Sequence, residues 1–150
     1  MLTALLGRLA ARRTARRLAA LTIDVARARA ARGAAFLDAL DVGWATRVDP
    51  ARLELSDGAA CVLGQLHGDY RVGLGRTRVL DLSSAPLASL SPVDLGFQAV
   101  GDLGAAAEAL DYAHLTRAWR EAVRARTASS SQTRPAHADA RRNADARVSS

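Results

Sequence analysis

The sequence predicts a mainly α protein, a small irregular helical bundle of three to four helices with a disordered C-terminal tail. Three observations carry that prediction. Alanine, leucine and arginine, the residues with the highest helix propensity, dominate the 150 positions, while β-branched residues are thinly scattered. Apolar residues recur at spacings of three and four in two separated stretches, Ile23 to Leu40 and Tyr112 to Val123. From Thr127 the chain turns to Ser, Thr, Ala and Arg with no large apolar residue before Val148, too little to offset the entropy of ordering it. The expected division is a basic helical or flexible extension at 1–21, a helical domain at 22–126 and a disordered Ser/Ala/Arg-rich tail at 127–150.

The elements follow in order. Leu2 to Arg17 is helical by propensity but not cleanly amphipathic, because Leu2, Leu5, Leu6 and Leu9 share a side that Arg12, Arg13 and Arg16 occupy one to two turns later. That pattern argues against a membrane-surface helix and for a loose extension, or for residues translated only from an upstream start codon. Next, Ile23, Ala26, Ala30, Gly33, Ala34, Leu37 and Leu40 line one face of a core helix. It should close near Asp41–Gly43, with Gly43 in the left-handed conformation and Trp44 anchoring onto the core. Asp49 and Pro50 suit the N-cap and first position of a short helical turn.

Ser56-Asp57-Gly58 then offers caps for a central helix from about Ala59 to Leu74. Val62, Leu63, Leu66, Tyr70, Gly73 and Leu74 form one of its faces, and Cys61, Gly64 and Gly68 form a second strip of small residues. Gly75 to Leu90 reads as one short strand or none, strand-like at Thr77, Val79, Leu80 and Leu82 and loop-like at Ser83, Ser84, Pro86 and Ser89. Ser91-Pro92 opens a further helical turn. The last helix runs from about Ala105 to Arg126, with Tyr112, Leu115, Trp119, Ala122 and Val123 as its apolar stripe and Arg117, Arg120, Glu121 and Arg124 pointing the other way.

All 21 basic residues are arginine, which with the alanine content suits a gene of high GC content, as in an actinobacterium or its phage. The net charge of +6 conceals a segregation. Residues 1–32 hold eight arginines against Asp24, net +7; residues 33–116 are net −6; residues 117–150 are net +5. An acidic body with basic ends is the expected arrangement. Cys61 is the only cysteine, so neither an intrachain disulfide nor a multi-thiolate metal site can form, and a reducing cytoplasm fits best. No apolar run is long enough to span a membrane.

No catalytic set stands out. Cys61 near a helix start could be a nucleophile, but His67 lies about 9 Å further along the same expected helix and about 120° around it. His114 sits on a polar face and His137 in the tail. A buried structural cysteine is therefore expected, and no metal or other cofactor is implied. Asp69 and Asp111 read as solvated or capping acids. Gly64, Gly68, Gly73 and Gly75 lack the preceding strand and Lys-Ser/Thr pair of a phosphate loop. Gln65 has no evident role among leucine-lined faces and needs either a backbone partner or a ligand.

The string Ala31-Arg32-Gly33-Ala34-Ala35-Phe36-Leu37-Asp38, with Gly43-Trp44, Arg47-Val48-Asp49 and Cys61-Val62-Leu63-Gly64-Gln65-Leu66 followed by Gly68 and Tyr70, resembles a family of short uncharacterised proteins of actinobacteria and their phages. Leu95-Gly96-Phe97 and Leu115 to Arg120 fit the same pattern. The resemblance covers roughly residues 30–75 and 94–124 and implies kinship without an assigned activity. Members often carry another cysteine shortly before the one matching Cys61, and Ser56 to Ala60 contain none. Trp44, Arg47, Asp49, Cys61, Gln65, Tyr70 and Trp119 form the candidate binding set. The leading expectation is an accessory protein whose partner is another protein. The rival is a nucleic-acid-associated protein using Arg12, Arg13, Arg16 and Arg17, with Arg124, Arg126, Arg141 and Arg142, on phosphates. A cysteine-dependent enzyme is the third possibility.

Overall fold

The computed structural model of the chain describes residues 2–79 and 90–132. Its helices are α1 (Leu2–Ala19), α2 (Ile23–Leu40), a 3-10 turn (Trp44–Arg47), α3 (Val62–His67), α4 (Tyr70–Thr77) and α5 (Ala105–Gln132). The protein is mainly α, and no strand occurs among the described residues. Leu80, Leu82 and the following serines of the Gly75–Leu90 stretch lie outside those residues.

The bundle is built on the pairing of α2 with α5. Ala26, Ala30, Gly33, Ala34 and Leu37 present a shallow face, and Leu115, Ala118, Trp119 and Val123 fill it. Small residues on α2 let the large ring of Trp119 enter. A Cβ on Gly33 would stand 2.1 Å from the Leu95 carbonyl oxygen and 2.7 Å from Cζ2 of Trp119, so only glycine fits. The ring stacks on Phe97 at 5.3 Å between centroids and meets Trp44 edge-on at 6.0 Å. Its Nε1 donates to the Gly96 carbonyl at 2.6 Å, leaving no polar atom of the buried indole unpaired.

Thr22 caps α2, its hydroxyl accepting from the Val25 amide at 3.3 Å, and Gly43 beyond the far end adopts φ +83°. The chain then turns through the 3-10 segment, which buries Trp44. Leu40, expected on the core face, is exposed, because the helix ends there and the chain leaves the core. After Val48 the expected helical turn at Asp49-Pro50 is a hydrogen-bonded turn only. Asp49 accepts from the Ala51 amide at 2.8 Å and the Arg52 amide reaches the Asp49 carbonyl at 3.2 Å.

The predicted central helix at 59–74 is two short helices. Gly68 takes φ +90° and closes α3, and Asp69 starts α4 by accepting from the Arg71 amide at 2.8 Å. Gly68 is therefore a helix stop, with nothing within 4 Å of its Cβ position, and no part of a packing strip. Asp57 organises the preceding loop by accepting from the Ala59 and Ala60 amides, and the cap of α3 is Cys61. Gly73 lets α4 close on α3, since a Cβ there would meet Leu63 Cβ at 2.6 Å.

Ser91 and Asp94 cap each other's turn reciprocally. The Ser91 hydroxyl donates to Asp94 at 2.7 Å and accepts from the Asp94 amide at 3.2 Å. That turn delivers Leu95 and Phe97 to the core. α5 runs six residues beyond the expected domain edge at 126. Its continuation is polar, with Thr127, Ser129, Ser130 and Ser131 bonding back to carbonyls four residues earlier. The rest of the expected tail, 133–150, lies outside the described residues.

Candidate functional site

Of the candidate binding residues Trp44, Cys61 and Trp119 are buried, Gln65 and Tyr70 are partly buried and Arg47 and Asp49 are exposed, and their polar side chains are engaged by the protein. Trp44 and Trp119 are in ring contact in the core, and Trp44 Nε1 donates to Asp38 at 2.8 Å. Arg47 pairs with Asp41 across the 3-10 turn. Gln65 finds a full set of backbone partners. Its Oε1 accepts from the Asp49 amide at 2.8 Å, and its Nε2 donates to the Asp49 and Ala60 carbonyls at 3.2 and 3.0 Å. One amide thus clamps the Asp49 turn onto α3, which is why a neutral polar residue stands between apolar faces. Tyr70 is half-buried and its hydroxyl donates to Gln98 Oε1 at 3.1 Å. Burial holds its phenol well above the ordinary range.

Cys61 is buried, 2 % exposed. Its Sγ accepts from the Gly64 amide at 3.2 Å, the capping bond of α3, and lies 3.6 Å from the Gly58 carbonyl as donor. Desolvation pushes its pKa up, and the nearby carboxylates of Asp57 and Asp69 add to that, outweighing the amides of Gly64 and Leu63. The surroundings favour the neutral thiol, the opposite of what an activated nucleophile needs. Among the described residues no three His, Cys, Asp or Glu side chains gather as a metal-binding group.

One pair escaped the reading of the sequence. Asp111, expected as a solvated or capping acid, is 2 % exposed, and Arg29 on α2 is 6 % exposed. Arg29 Nη1 donates to both Asp111 oxygens at 2.9 and 2.8 Å, Nε to the Val93 carbonyl at 2.7 Å and Nη2 to the Gln98 carbonyl at 2.6 Å. Asp111 also accepts from the Val100 amide at 2.9 Å. This buried pair ties α2, α5 and the 93–100 segment together. A signal existed: Asp111 stands in helical phase with Leu115 and Ala118, on the stripe that faces the core. Arg120 turns inward, contrary to expectation, while Glu121 stays at the surface. Arg120 donates to the Leu53 carbonyl because α5 has a neighbour beyond its apolar stripe, and Glu121 makes an exposed pair with Arg27 of α2.

Among the clefts on the surface of the described residues, two lie beside candidate residues or α1. The larger, about 440 Å³, lies between the 3-10 turn and the end of α5, lined by Asp38, Trp44, Thr46 and Arg126 among others. Its charges compensate each other. Arg126 chelates Asp38 and lies over the Trp44 ring at 5.7 Å, and it holds the Asp38 carboxyl below the usual carboxylate range. The second, about 300 Å³, lies where α1 meets α2, lined by Leu21, Val25, Val93, Val100 and Leu103 with Arg17, Arg29 and Arg32. There too Arg17 and Arg29 are paired.

The exception to this compensation is α1. Every residue from 5 to 20 is exposed. Leu5, Leu6 and Leu9 are 56, 58 and 46 % exposed. The helix holds Arg8, Arg12, Arg13, Arg16 and Arg17 with no acid. Arg17 alone is tied down, its two terminal nitrogens on Asp102 at 2.5 and 2.7 Å; of the four candidate phosphate contacts it is the one already occupied. Arg8, Arg12, Arg13 and Arg16 have no partner among the described residues. No described helix is long and apolar enough to cross a membrane.

Fold and surface together define a small irregular helical bundle with a basic helix projecting from it. The chain matches no protein-family model, no curated protein and no solved structure.

Proposed function

We propose that the chain is a small helical accessory protein that works by contact with another macromolecule, with α1 as its contact arm. The observation that carries this is the state of α1. It is an 18-residue helix whose side chains from Leu5 to Ala19 are all exposed, Leu5, Leu6, Leu9 and Leu18 among them. A helix of that length is marginal in water without packing, and exposed leucines grouped within two turns are what a partner would cover. The interior supports the same reading, since the polar groups that could do chemistry are engaged in holding the fold: Cys61 as a cap, Gln65 as a clamp and Asp111 as a counter-ion. A cytoplasmic setting suits a chain whose one cysteine is a buried thiol.

The test is a photo-crosslinking amino acid placed at Leu6 of the full chain in the native host, with the same probe at Leu110, an exposed leucine on α5, as control. A defined macromolecular adduct at position 6 and none at 110 is the expected result. Equal labelling at both positions, or turnover of a small molecule that Cys61→Ser abolishes, would overturn the reading.

A further inference from the structure

Building on the contact reading, we infer that α1 binds the phosphates of a nucleic-acid duplex without regard to sequence, through Arg8, Arg12, Arg13 and Arg16. The four guanidinium groups have no acceptor among the described residues, and no acid stands on their helix. Arginine is suited to phosphate, which it can hold with two parallel hydrogen bonds. The placement matters as much as the charge. Arg8, Arg12 and Arg16 succeed one another at about 6 Å of rise and about 40° of rotation, and Arg13 stands about 60° beyond Arg16. The arginines therefore fan over roughly 140° of the cylinder, to both sides of its leading edge.

A flat acidic surface would engage only the middle of such a fan. A duplex major groove, about 12 Å wide, admits a helix and flanks it with phosphates on both walls. The rest of the molecule orients the approach. Residues 22–132, which carry the bundle, hold twelve arginines against thirteen acids and are close to neutral. The positive field that attracts a polyanion is therefore concentrated on α1, with its five arginines and no acid, and the helix leads. Arg17, held by Asp102, is a positioning residue: it fixes the root of the arm to the 93–103 segment and leaves the arginines nearer the tip for phosphate. In the free protein Arg8, Arg12 and Arg16 repel one another at i,i+4 spacing, a strain that phosphate relieves.

The experiment is fluorescence anisotropy of the full chain with a random duplex of about 20 base pairs, titrated between about 50 and 200 mM salt. Four phosphate contacts predict a slope of about −3.6 in log affinity against log salt, a loss of roughly 100-fold over that range. Each single Arg→Gln change at the four positions should lower the slope by about one. Changing all four to Gln should abolish binding, and changing all four to Lys should preserve the slope, with circular dichroism confirming that the bundle is intact. Absence of binding at the lowest salt, or unchanged binding by the fourfold Gln variant, would overturn the inference. So would tighter binding to poly-glutamate than to duplex that is lost on changing Leu5, Leu6 and Leu9 to Ser, the signature of an acidic protein partner. An adduct at Leu6 with no duplex binding would remove this inference and leave the contact reading standing, whereas loss of both would remove both.

Discussion

Asp111→Ala should be among the most damaging single changes in the protein. The carboxylate accepts three hydrogen bonds, two from Arg29 Nη1 and one from the Val100 amide, at 2.8 to 2.9 Å and almost out of contact with solvent. Its removal strands a guanidinium in the interior with carbonyls as its remaining partners, and orphans the Val100 N–H. Breaking one side of a buried ion pair costs about 3–5 kcal/mol, and an unpaired amide adds about 1 kcal/mol or more. Native domains have only about 5–15 kcal/mol in total, so the variant should lie close to the edge of folding. Urea unfolding followed by tryptophan fluorescence measures it, because Trp44 and Trp119 are both core residues. The midpoint should fall sharply, with a drop in melting temperature of roughly 10–20 °C. Arg29→Met with Asp111→Leu should recover part of the loss, revealing a coupling of about 2 kcal/mol or more in a double-mutant cycle. Recovery stays partial because the Val93 and Gln98 carbonyls lose their donor. Glu121→Ala, which breaks the exposed pair with Arg27, should leave the midpoint close to that of the parent. A loss of under about 1 kcal/mol for Asp111→Ala would refute the claim that the pair holds the bundle together.

Other expectations follow from the same packing. Gly33→Ala should destabilise by about 1–3 kcal/mol or more, since its Cβ collides with the Leu95 carbonyl and Trp119, whereas Gly7→Ala, with open space around it, should raise helix content in α1. Thermal melts and circular dichroism of the two variants test this, and equal effects would contradict it. Cys61 should react with an aromatic disulfide reagent only as fast as the fold opens, so a stoichiometric burst in native buffer would show the thiol to be accessible. Asp38 has its carboxyl pKa lowered by Arg126, so the unfolded chain binds the proton more readily than the native one. Its contribution to stability should be complete above the ordinary aspartate value of about 3.9 and should fade as pH drops through the lower native value. Asp38→Asn should flatten part of that acid decline, and an unchanged profile would count against the pair.

Long-period features were legible in the sequence. The faces of α2 and α5, the stop near Gly43 and the burial of Trp44, Trp119 and Cys61 follow from helical spacing and residue type. What escaped depended on single residues acting locally or on partners far along the chain. Gly68 stops a helix because of its positive φ, yet in sequence it falls in phase with Gly64 and so resembles a packing glycine. Arg29 and Asp111 are 82 positions apart, and each charge in isolation resembles surface. Gln65 could be flagged as needing partners, but its clamp on the Asp49 turn exists only once the loop has folded back. On α1, the alternation of leucine and arginine that spoiled a clean amphipathic wheel describes a helix with no face in the core.

Residue-resolved hydrogen exchange of the full chain bears most directly on whether α1 is an arm outside the core. Amides of α1 should exchange orders of magnitude faster than those of α2 and α5 in the free protein, and slow markedly when duplex is added at low salt. Protection of α1 equal to that of α5 in the free protein would show that the helix belongs to the bundle and that its exposed arginines serve no partner.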